Sequence, residues 1–234
     1  MLVVSPNQNH NEPDSMKPLH LLVLLLITGL SAPMPGFAGP KKTPPKPNLS
    51  KQTALPKTNP SKQAATLQTN YPNEDGLKGL IERANKGAAI AQSLLGDVYA
   101  FGREGVAQDY AEAVKWYRKS ADQGFAPSQC KLGDMSLIGQ GVPQDFAEAV
   151  KWYRKSADQG DANAMGSLAL MYTNGHGVQK DYVEASKWLN LASAFSDKDN
   201  REGNVSMLEE LAAEMTPAQI AEAQKRARDW KPKW

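Results

Sequence analysis

The phrase AEAVKWYRKSADQG stands twice in this chain, at residues 111–124 and 147–160. The repetition extends further: Asp109, Asp145 and Asp181 are spaced by 36 residues, as are Tyr110, Phe146 and Tyr182, and Trp116, Trp152 and Trp188. Self-similarity at a fixed period of roughly 20–50 residues is the mark of a solenoid, whose units cannot bury an apolar face alone and so stack on one another. A catalytic motif needs stating once; a packing surface must be stated in every unit.

Each unit reads as two helices. In unit one the first runs from about Ala89 to Phe101 and ends in the turn Gly102–Gly105, with later counterparts Gly139-Gln140-Gly141 and Gly175-His176-Gly177. Glycine is used where the chain needs positive φ to reverse. The second helix starts at Asp109, with Glu112 three residues on, and the pair recurs as Asp145 with Glu148 and Asp181 with Glu184. That is a capping-box spacing, so these carboxylates are read as helix caps rather than paired catalytic acids. Tyr110, Ala113, Val114, Tyr117 and Ala121 then form an i, i+3, i+4, i+7 core stripe flanked by Trp116. The expected fold is an all-α, α/α solenoid (superhelix). It divides into an N-terminal capping helix (74–87), repeat 1 (88–124), repeat 2 (125–160), repeat 3 (161–197) and C-terminal capping helices (198–234), where Thr216, Pro217 and Gln219 spell a helix start.

The segments before the repeats differ in kind. Met16 to Ala38 combines Lys17, an apolar run from Leu19 to Leu30 and small residues at Gly36 and Ala38, so 1–38 reads as a signal peptide with the true start at Met16. The run is too short for a bilayer that needs about 20 apolar residues, and no cysteine follows it to carry an acyl anchor. The expected location is periplasmic or secreted, with no stable membrane anchor. Residues 39–73 hold six lysines and no acid among many prolines, which reads as a disordered linker that could touch anionic envelope components. Residues 74–234 carry 20 basic and 23 acidic side chains, net −3, which argues against nucleic acid as a partner of the folded part. Cys130 is the sole cysteine, which excludes an internal disulfide and a cysteine-based zinc site. His176, the only histidine after residue 38, reads as an exposed turn residue. No cofactor or metal is expected, and no enzyme.

Leu95-Gly96, Tyr99, Gly102, Gly105-Val106, Asp109, Ala113, Trp116-Tyr117 and Ala121 of unit one, with their counterparts in the next two, resemble the Sel-one-like repeat, a relative of the tetratricopeptide repeat. Unit two departs at Ser136, and unit three at Ala169 and Leu189, where the pattern asks for an aromatic, a glycine and a tyrosine. The resemblance implies a non-enzymatic protein-interaction scaffold that holds a protein or peptide partner on the concave face. By resemblance to the tetratricopeptide groove, that face falls to Ile90, Ser93 and Asp97, then Pro127, Cys130 and Asp134, then Asn163, Gly166 and Leu170. As exposed positions varying between units, they are expected to tolerate substitution, including lysine at Asp97 and Asp134. Two other readings stand beside this one: a β-lactam-type hydrolase, for which the paired cysteines of some relatives are missing, and an envelope spacer that binds through its basic linker.

If the leader is cleaved after Ala38, exported material should begin at Gly39 by intact mass and N-terminal sequencing. Retention of Leu19–Leu30 in a membrane fraction is the contrary result.

Overall fold

A computed structural model describes residues 74–233; the expected signal peptide and linker lie outside the described residues. All regular structure among those residues is helical: α1 (Glu74–Asn85), α2 (Ala89–Phe101), α3 (Tyr110–Asp122), α4 (Ala126–Ile138), α5 (Phe146–Ala157), α6 (Ala162–Asn174), α7 (Tyr182–Phe195), α8 (Lys198–Ala213) and α9 (Pro217–Asp229). Each repeat is one antiparallel pair, α2/α3, α4/α5 and α6/α7, and each second helix also packs on the first helix of the next unit. Asp109 and Asp145 accept from the backbone N–H of Glu112 and Glu148 at 2.9 Å, as the caps require. The glutamates do not reach back to close the box. Their carboxylates pair instead with Lys115 at 2.7 Å and Lys151 at 3.1 Å. Thr216 and Gln219 form the full reciprocal box at α9.

Two close approaches set the geometry. Within a unit, a tyrosine ring lies against a glycine of the facing helix: a Cβ on Gly96 would stand 2.6 Å from Tyr117 Cδ1, and one on Gly133 2.5 Å from Tyr153 Cε1. No side chain fits there while the tyrosine is present. Unit three answers with a paired change, Ala169 opposite Leu189, both fully buried. Between units, the turn glycines Gly141 (φ +71°) and Gly177 (φ +68°) sit against the backbone carbonyls of Tyr110 and Phe146, leaving no room for a Cβ. His176 stacks on Phe146 with ring centroids 4.8 Å apart, so it is part of that joint and not a free turn residue.

The tryptophans reach backwards along the array. Trp116 is buried with Leu80 and Ala84 of α1 and Leu95 and Val98 of α2, Trp152 with Ala113, Tyr117 and Ala121 of α3, and Trp188 with Tyr153 and Ala157 of α5. A residue that flanks its own helix's stripe is thus the knob that locks each unit to its predecessor. The indole N–H of each finds no protein acceptor among the described residues, so these side chains act through their apolar area. At the far end Leu211 of α8, Met215 of the turn that follows and Ala223 of α9 complete the last cluster. Trp230 meets Trp188 and Phe195 edge-on at 6.5 and 5.6 Å, so the tail closes the array as well as ending it.

The glycine–tyrosine contact predicts a compensating pair. Gly133→Ala should destabilise by roughly 1–3 kcal/mol through overpacking, and adding Tyr153→Leu and Asp134→Leu, the unit-three residues, should recover part of that loss in a denaturant-titration cycle. Strict additivity of the separate losses would show that the ring and the glycine do not constrain each other.

Candidate binding face

Most polar groups on the inner surfaces of the repeats are already used. The Tyr117 hydroxyl donates to Asp97 Oδ1 at 2.6 Å and Tyr153 to Asp134 Oδ1 at 2.9 Å. Ser120 and Ser156 donate to the carbonyls of Ala89 and Ala126 at 2.7 Å. Gln123 and Gln159 donate to the side chains of Gln92 and Gln129 at 2.6 and 2.8 Å. In unit three the residues matching the glutamine pair are Met165 and Phe195, and those matching the Asp–Tyr pair are Leu170 and Leu189. The polar pairs have been exchanged as pairs, so neither member of a pair is left without its partner.

Each first helix carries a stripe at i, i+4, i+7 and i+11 that is exposed at its two ends on α2 and α6 and half-buried along α4. On α2 it is Ile90, Leu94, Asp97 and Phe101; on α4, Pro127, Lys131, Asp134 and Ile138; on α6, Asn163, Ser167, Leu170 and Asn174. Asp97 is only 9% exposed and marks the stripe's floor; Ile90 and Phe101 are 42% and 52% exposed. Lys131 lies between two acids, stabilising the charged carboxylates of both Asp97 and Asp134, and Ser167 of the next unit hydrogen-bonds Tyr153. The three stripes therefore lie side by side.

Six of the nine positions expected from the sequence fall on these stripes: Ile90, Asp97, Pro127, Asp134, Asn163 and Leu170. Ser93, Cys130 and Gly166 do not. Ser93 and Cys130 are buried at 6% and 8% exposure; Cys130 belongs to the core shared with unit three, and Gly166 faces Asn204 of α8. That row is the seam along which the next element covers each first helix. Leu94, Lys131 and Ser167, one residue on, are the half-buried, partly accessible positions that sequence reasoning missed. Both rows satisfy helical spacing, and only the neighbour decides between them. The expectation that Asp97 and Asp134 are freely replaceable also needs correction. Each holds a tyrosine hydroxyl, and their absence in unit three follows the loss of that tyrosine and not the demands of a ligand.

Burial dominates the electrostatics. It raises the Asp97 carboxyl above its ordinary range and pushes Asp134 up to about 6, partly countered in each case by Lys131 and the tyrosine bond. Burial also raises the Cys130 thiol well above its usual value, with Asp134 and Asp161 adding to the effect, so it is no thiolate nucleophile at neutral pH. Among the described residues no cluster of His, Cys, Asp and Glu is placed to hold a metal ion.

Three Sel1 repeats match this chain, at residues 89–125, 126–161 and 162–194, and the chain belongs to the Sel1 repeat family. A Sel1 repeat protein from Oxalobacter formigenes is 36% identical over 51% of this chain and 91% of its own, with a TM-score of 0.49. A protective antigen present in uropathogenic Escherichia coli strains, displaying the same repeat fold, is 26% identical over 66% of this chain, with a TM-score of 0.50; this chain spans 40% of that protein's length. No curated protein matches the chain. Sel1 repeats generally serve as non-catalytic scaffolds for protein–protein interaction, and no described helix is long and apolar enough to cross a membrane.

The Asp134 shift has a definite sign. A carboxyl whose pKa is higher folded than unfolded stabilises the fold fully below the unfolded value near 4, and that contribution is lost as pH rises through about 6. Asp134→Asn keeps an acceptor for Tyr153 and removes the titration. The parent's stability relative to this variant should therefore fall by roughly 1–3 kcal/mol between about pH 4 and 7, read by denaturant titration at each pH. A difference that does not change with pH would refute the assignment.

Proposed function

We propose that the protein is an exported, non-enzymatic adaptor that holds a protein or peptide partner across the first-helix stripes, on the concave side of the superhelix. The observation that carries this reading is the side-by-side run of these stripes on α2, α4 and α6, in a domain whose other repeated residues serve packing. The run has a direction. Ile90, Leu94 and Phe101 make an apolar end, Lys131 between Asp97 and Asp134 a charged centre, and Asn163, Ser167 and Asn174 a polar end around Leu170. An extended segment with apolar side chains at one end and polar ones at the other matches that order, and main-chain groups of such a segment could bond to the polar end. Export to the periplasm or medium is supported by the signal-like residues 16–38.

Photo-crosslinking side chains placed at Leu94, Lys131 and Ser167 should capture one and the same envelope protein, whereas one at Lys115 on a second helix should not. Leu94→Glu with Ser167→Glu should then weaken the purified pair by at least about tenfold, with helical circular dichroism unchanged. Equal capture from Lys115, or undiminished affinity of the double variant, rules the stripes out.

A further inference from the structure

The folded part is net acidic, yet its charge is sided. The outward stripe of α3 carries Lys115, Arg118 and Lys119, and that of α5 carries Lys151, Arg154 and Lys155, all exposed and 36 residues apart in register. Lys115 and Lys151 are partly neutralised by Glu112 and Glu148. The others have no carboxylate partner among the described residues. Lys119 and Lys155 are held over the rings of Trp116 and Trp152 at 3.8 and 4.1 Å, and Arg154 donates to the Tyr172 hydroxyl. The end of the α5 stripe is completed from far away in sequence. Lys151, Lys155 and Asp158 fall at i, i+4 and i+7, and Asp158 is met by Lys233, whose backbone N–H reaches its carbonyl at 2.7 Å and whose Nζ reaches its carboxylate at 2.9 Å. The acid that ends the α5 stripe is thus answered by a cation from the tail, whereas Asp122, its counterpart on α3, is exposed and pairs with no cation among the described residues.

We propose that this second-helix face, centred on Arg118, Lys119, Arg154 and Lys155 and extended by Lys233, docks on an anionic lipid surface. It is a different surface from the partner-binding stripes of the first helices. Among the described residues the large exposed apolar side chains, Ile90 and Phe101, both lie on α2, and the tryptophans of this face are buried beneath lysines. Nothing here is placed to insert into hydrocarbon or to stack on bases, so the contact is made by cations at headgroup level. The six lysines of residues 39–73, with no acid among them, carry charge of the same sign. Preferring lipid to nucleic acid rests on the export proposed above; the charged face itself does not.

The test is co-sedimentation of the full chain with phosphatidylcholine vesicles containing about 30 mol% phosphatidylglycerol at about 0.15 M salt. The parent should pellet, should not pellet with pure phosphatidylcholine, and should be released at about 1 M salt. Neutralising Arg118, Lys119, Arg154 and Lys155 to Gln should weaken partitioning roughly tenfold or more. Neutralising Lys78, Lys86, Lys198 and Lys225, equal in charge but off the face, should weaken it much less, with circular dichroism confirming that both variants are folded. Equal losses for the two variants, or no loss in the first, overturns the proposal and leaves the basic segment 39–73 as the binding element. Face-dependent binding to duplex DNA or to an acidic protein, without vesicle binding, overturns the lipid assignment while leaving the stripe reading untouched.

Discussion

A tyrosine ring pressed against a glycine backbone sets how closely the two helices of a unit can approach, and much of the molecule is arranged around that contact. The ring at Tyr117 or Tyr153 fills the space a side chain at Gly96 or Gly133 would need. Its hydroxyl then lies inside the unit and requires an acceptor, which Asp97 or Asp134 supplies. Burying that acid raises its pKa, and Lys131, on the same helix as Asp134 and in the unit after Asp97, offsets part of the cost for both. Steric, hydrogen-bonding and electrostatic consequences thus follow in sequence from one residue. Unit three shows the alternative solution, in which Ala169, Leu170 and Leu189 replace the set together and neither the hydroxyl nor its acceptor is left behind.

Stacking depends on a second contact of the same simplicity. Each tryptophan projects from one unit into the apolar cluster of the one before, and the turn glycines let that turn lie directly on the preceding helix start. An array built this way is cohesive in one direction, so its last unit needs a cover. The exchange of polar pairs for Met165, Phe195 and the leucines in unit three suits a surface closed by α8, α9 and Trp230 and no longer by another repeat.

Once packing has taken its share, two surfaces are left over on opposite helices of the pairs. The first helices offer a graded stripe from apolar to polar; the second helices offer cations, two of them lysines whose ammonium groups sit over tryptophan rings. The two could act together, one holding a partner while the other keeps the complex at a charged surface, because no residue is shared between them.

The period, the all-α class, the caps and the core stripe were legible in the sequence because they depend on spacing along one chain. So was the identity of the capping aspartates, although the glutamates' preference for lysine over the cap was not. The least covered stripe of the first helices was legible only to within one residue: 93 and 94 both satisfy a 3.6-residue period, and burial of Ser93 and Cys130 is a fact about the neighbour. The variation at Asp97, Asp134 and Leu170 suggested a ligand until the tyrosines facing them were seen. The basic face was hidden by a net charge of opposite sign and by a separation of 75 residues between Asp158 and Lys233. Sequence spacing determines which residues share a helix face, since the helix repeat is a local property. Which face is covered, and which distant charge completes it, was decided by the packing of one unit on another.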